Sequence, residues 1–162
     1  MAAPQIVVLL PAGIDNRAVL GRMVEELSLT VDHVPSGSPF DFSAQRRDES
    51  AYLLVEYDTN VSDFIDELAS WERPTEEYKR LLSDCTSSIT MHYRGIDIAK
   101  RSLKILSATI GYLSSRCIIE NGCGCLLLLS DVVNCIAVDP TWTWERERFP
   151  EIAGVAPSEW LA

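Results

Sequence analysis

The sequence predicts a layered α/β or α+β domain, with helices packed on a mixed or antiparallel sheet and a ferredoxin-like core with additions as one realisation. Three observations carry this. Short β-branched and leucine-rich runs alternate along the chain with segments whose apolar residues recur every three or four positions, so strands and helices are interleaved. A chain of 162 residues is long enough for one domain with a sizeable core. Hydrophobic residues make up 47% and charged residues 23%, the balance of a folded globular chain rather than of a disordered or fibrous one.

The elements follow in order. Residues 5–10 form an apolar run ended by Pro11-Ala12-Gly13, which reads as a buried strand and a turn. Asp15 then caps a helix through about Ser28, because Ala18, Val19, Met23 and Leu27 recur at helical spacing. Residues 30–34 read as a second strand. Residues 35–50 mix Pro, Gly, Ser and charge, and are expected to form a long exposed loop. The nearly continuous apolar run AYLLVEY at 51–57 gives the next strand, and Asp58, Thr59 or Asn60 can cap the helix after it. On that helix, 100° per residue gathers Val61, Phe64, Ile65 and Leu68 into one stripe and leaves Asp63, Asp66 and Glu67 on the other side.

Pro74 interrupts the helix, and a shorter helical piece is expected through about Asp84. Residues 88–93 (SITMHY) alternate like a strand. From Asp97 to about Ser114, Ala99, Leu103, Leu106, Ile110 and Leu113 form a long stripe, with Lys100, Arg101 and Lys104 turned away from it. Asn121-Gly122 between two apolar runs is a hairpin signal, and Ser130-Asp131 can open a brief helix through Cys135. Residues 1–162 thus read as a single domain closed by an aromatic tail at 140–162.

Charge and cysteine usage narrow the function classes. Fourteen Lys and Arg against 24 Asp and Glu leave a net charge of −10, which argues against nucleic acid or an anionic membrane face as partner. The N-terminus has no positive region, and its apolar run is too short for a signal peptide or a membrane span. Five cysteines, an odd number without a regular framework, fit reduced thiols and a cytoplasmic setting.

No catalytic or metal motif emerges. Cys123-Gly124-Cys125 with Cys117 and Cys135 lacks the paired spacing of zinc sites, so the thiols read as small buried hydrophobes and no metal is assigned. His33 and His92 sit on separate candidate strands, and no G-x-S-x-G element accompanies them. The glycines match neither phosphate-binding pattern. The expectation is a protein without catalytic residues or cofactor.

Two features remain as candidate partner-binding surfaces. Between residues 51 and 85 nine carboxylates face Arg73, Lys79 and Arg80, whereas the next fifty residues carry a small positive excess. A field of one sign favours encounter with an oppositely charged partner, although the same charges also serve as a solvated helix face. Asp58, Asp63, Asp66 and Glu67 are its candidate contacts. The second feature is Trp142-Thr143-Trp144. Trp142 and Trp144 have the bulk and polar handle of interface anchors, although such a tail also packs back on its own domain.

A small acidic α/β chain without catalytic signature, a helix ending in Ser114-Ser115, and Ile118-Ile119-Glu120-Asn121-Gly122-Cys123-Gly124 followed by the apolar residues 126–133 resembles the bacterial immunity proteins that neutralise cognate polymorphic or secretion-system toxins. The resemblance implies a non-catalytic cytoplasmic protein that covers a basic toxin active site with acidic residues, here Asp58, Asp63, Asp66 and Glu67. It leaves the close cysteines unexplained. Two other readings stand beside it: a small-molecule-binding regulatory or enzymatic domain with a pocket near residues 35–50, and an adaptor or homo-oligomer joined through Trp142, Trp144 and Trp160. A concave pocket with converging polar groups favours the first of these, and truncation after Asp139 that leaves folding and association intact excludes the second.

Overall fold

The first strand owes its place to continuous β-branched and leucine character, which suits a position with both faces covered. In the computed structural model, which describes residues 4–33, 42–49, 51–71, 76–122 and 126–145, β1 (Gln5–Pro11) lies inside a seven-stranded sheet. Around it are α1 (Asn16–Leu27), β2 (Thr30–His33), β3 (Phe42–Arg47), β4 (Tyr52–Asp58), α2 (Ser62–Trp71) and α3 (Glu76–Asp84). The chain continues through β5 (Cys85–Arg94), α4 (Ile96–Ile110), a 3₁₀ turn (Gly111–Arg116), β6 (Ile118–Glu120), β7 (Leu126–Leu128) and α5 (Leu129–Val138). The class is α+β. Every strand pair is antiparallel, in the order β2-β3-β4-β5-β1-β6-β7.

A ferredoxin-like unit sits at the centre of this sheet. The succession β1-α1-β4-β5-α4-β6, with β4-β5-β1-β6 side by side and both helices on one face, is the split β-α-β arrangement. The rest is added to it. The β2-β3 pair extends one edge, β7 extends the other, and α2 with α3 is inserted between β4 and β5.

Strand alternation sends successive side chains to opposite faces, and the two faces build separate cores. Ile6, Val8 and Leu10 of β1 join Leu53, Val55, Ile89 and Met91 under α1, α4 and α5, represented by Met23, Leu103, Leu106 and Val132. Val7 and Leu9 point the other way and meet Val61, Leu68, Tyr78 and Leu82 of the α2-α3 insertion. Helix α1 begins at Asp15, whose carboxylate accepts the Ala18 N–H at 3.1 Å, and ends at Ser28 in the left-handed region (φ 54°).

Several expectations are corrected. Residues 35–50 are not wholly loop, because residues 42–47 form β3 and pair along their length with β4. Asp48 and Glu49 follow it outside any strand, and residues 35–41 and Ser50 lie outside the described residues. The long helix stops at Ile110, and its last predicted turn is the 3₁₀ segment. Lys100 does not point to solvent. It is buried, its stem packed and its ammonium carried to the Pro140 carbonyl at 2.6 Å.

The first part of the aromatic tail is also not an exposed patch. Trp142 and Trp144 are 3% and 1% exposed and belong to the core under α1, α4 and α5, so neither indole is available as a partner anchor. Large apolar rings gain more from covering the open end of this core than from facing water. Trp160 and the rest of residues 146–162 lie outside the described residues.

Candidate functional site

The acidic residues are placed by the amphipathicity of α2. Val61 and Leu68 are buried against β1 and β6, with Phe64 and Ile65 packed beside them, which turns Asp63, Asp66 and Glu67 outward. All three are exposed. Asp63 also lies in the first helical turn, where a negative charge is favoured by the helix dipole. Asp58 ends β4 just before this helix and accepts the Asn60 N–H at 2.7 Å. Asp63, Asp66 and Glu67 thus share the outward side of α2, and Asp58 stands at the end of β4, four residues before the helix begins.

Among the described residues, internal neutralisation does not remove this charge. No ion pair joins Asp58, Asp63, Asp66 or Glu67 to a cation among the described residues. Helix α4 packs on the opposite face of the sheet, where Lys100 is engaged with Pro140 and the Arg101 guanidinium donates to the Glu26 carbonyl at 2.9 Å. Trp142 and Trp144 are on that opposite side as well, so the two sets of partner-binding candidates do not form one surface.

Beside the acidic helix the described residues leave the sheet uncovered. Helices α2 and α3 cover the β1-β6-β7 half of their face, and the β3-β4-β5 half carries polar side chains in cross-strand rows. One row runs Ser43, Glu56, Thr90 and Val7, and the adjacent positions Asp58 and Ser88 pair next to it. Where this floor meets the first turn of α2, a groove of about 530 Å³ opens, walled by Asn60, Val61 and Phe64. The Glu56 carboxylate at its floor is held at 2.7 Å from the His92 imidazole.

A pocket near residues 35–50 belongs to the small-molecule-binding reading of the sequence, and Phe42 and Ser43 of that segment do line this groove, but nothing in that reading points to Glu56 on its floor. The one available signal for Glu56 is the alternation in β4, which puts Leu54, Glu56 and Asp58 on one side and Leu53, Val55 and Tyr57 on the other.

The remaining candidates are the cysteines. Cys85, Cys117 and Cys135 are buried free thiols. Burial, with the Asp84 charge adding to it, pushes Cys85 up to about 12. Burial and the neighbouring Cys85 do the same for Cys117, and Cys135 is pushed up to about 11 by burial and then Asp131. A thiol that resists ionisation is a poor nucleophile and a poor metal ligand. Cys123 and Cys125 lie outside the described residues. Among the described residues no group of His, Cys, Asp and Glu is arranged to hold a metal, and no helix is long and apolar enough to cross a membrane.

Comparison with known proteins places no relative beside the chain: no family model, no curated protein and no solved structure matches it.

Proposed function

We propose that this protein is a non-catalytic binding protein, an immunity protein that neutralises a cognate toxin by laying the acidic face of α2 over a basic active site. One observation carries the reading. Asp63, Asp66 and Glu67 are exposed on a helix whose other side is anchored in the core, and no described cation pairs with them. A rigid element presenting unpaired charge of one sign speeds encounter with a basic surface and repels acidic competitors. The buried, reduced thiols agree with work in the cytoplasm.

A toxin that acts on an anionic substrate such as nucleic acid or a nucleotide has a basic cleft, so a proteinaceous acidic ridge competes with substrate for the same surface. Inhibition then needs no chemistry from this chain. The test is to purify the product of the adjacent open reading frame and measure its activity with and without this protein. Stoichiometric inhibition, accompanied by one stable complex, is expected. Full activity of a toxic neighbour at saturating amounts of this protein contradicts the proposal.

A further inference from the structure

The groove beside α2 is a second feature of the same face, distinct from the outward carboxylates of the helix. We propose that it is a socket for one arginine side chain of the partner protein, with Glu56 and Asp58 as the receiving carboxylates. The proposal deepens the binding reading above and rests on it for the identity of the partner.

Charge complementarity selects the occupant. Both carboxylates stand on β4 two residues apart, so they project from the same face of the sheet, and among the described residues none that lines the groove is basic. The hydroxyls of Ser43, Ser88 and Thr90 occupy the paired positions on the neighbouring strands and line the same floor. This is an acceptor-rich surface. A guanidinium offers five donors in a planar fork, and an array of two carboxylates with flanking hydroxyls can receive several of them together.

The supporting geometry is already in place. His92 holds Glu56 Oε1 at 2.7 Å and fixes the carboxylate, which leaves Oε2 for a ligand. Asp58 Oδ1 is tied to the Asn60 N–H, which fixes that carboxylate in the same way. Val61 and Phe64 supply an apolar wall against which the arginine stem and the flat guanidinium face can pack. A volume of about 530 Å³ accommodates such a side chain and leaves room for bridging water.

The probe is capped arginine, acetylated at its amino group and amidated at its carboxyl group, titrated into the full protein and followed by amide chemical shifts. Saturable shifts confined to Ser43, Glu56, Asp58 and Thr90 are expected, with about tenfold weaker binding in Glu56→Gln and Asp58→Asn. Ser43→Arg, which fills the groove from within and sits at a half-exposed position, is expected to abolish the shifts while leaving the spectrum folded. The absence of saturation, equal binding of the neutral capped citrulline, or shifts centred elsewhere overturns the proposal. Its failure is separable from that of the binding reading. If toxin inhibition survives but capped arginine does not bind, only the socket falls; if capped arginine binds and inhibition is absent, the toxin-neutralising reading falls.

Discussion

The Trp144 indole donates to the Tyr93 hydroxyl at 3.2 Å, with the two rings edge to face at 5.9 Å, and this contact closes the last described segment onto the sheet. The Tyr93 hydroxyl in turn donates to the Glu145 carboxylate at 2.6 Å, and the Asn121 side-chain amide donates to the Trp144 carbonyl at 2.7 Å. Backbone and side chain of Trp144 are thus held at once. Residues 139–145 are a structural strap, which is why Trp142 and Trp144 are in the core.

Loss of that strap is expected to be costly. Trp144→Ala removes a fully buried ring and should cost about 3–5 kcal/mol, whereas Tyr93→Phe keeps the ring and should cost about 1–3 kcal/mol for the orphaned partners. Truncation after Asp139 should lower stability at least as much as Trp144→Ala. Denaturant unfolding of the three variants checks this order, and a truncated protein as stable as the full chain contradicts it.

Gly122 is the second point at which one residue decides the local backbone. Its φ is +76°, and a Cβ there would stand 2.9 Å from the Gln5 carbonyl oxygen, a backbone atom with no freedom to withdraw. Gly122→Ala is expected to destabilise by more than about 1 kcal/mol, beyond the gain that alanine gives by restricting the unfolded chain. Gly21→Ala is the control, since nothing lies within 4 Å of the new methyl group and α1 favours alanine.

Alkaline conditions should weaken the fold through its thiols. In the folded state Cys85 and Cys117 ionise near 12 because burial disfavours the thiolate, against an ordinary value of 9.0. Below pH 9.0 both states keep the protons and the thiols add nothing to the pH dependence. Above it the unfolded chain releases them first, so stability falls progressively from pH 9.0 towards 12. Denaturation series across that window should show the decline, made shallower by Cys117→Ala. A decline of unchanged slope in that variant would exclude Cys117 as its source.

Much of the frame was legible in the sequence because local patterns set it. The stripe of Ala99, Leu103 and Leu106 is the buried side of α4, and the apolar runs around Asn121-Gly122 do pair, Ile118 opposite Leu128. Strand β3 was hidden because Phe42 and Ala44 are its only apolar residues, and its identity comes from pairing with β4 rather than from its own propensity. Lys100 was misplaced for a similar reason: the carbonyl that accepts its ammonium is forty residues away. The exposed acids of α2 followed from helical periodicity alone. The floor of the groove did not, since it unites Ser43, Glu56 and Thr90 through register, which no local pattern encodes.

The acidic face of α2 is the proposed docking surface. Its most direct test is the affinity for the purified product of the adjacent reading frame, determined by titration calorimetry at low and high salt for the natural protein and for Asp63→Lys, Asp66→Lys and Glu67→Lys combined. These positions are exposed, so folding should be preserved. The account predicts that affinity falls with salt in the natural protein, that the triple reversal weakens it by about a hundredfold or more, and that most of the salt dependence disappears with it. Equal affinity and equal salt dependence in the two proteins would contradict it.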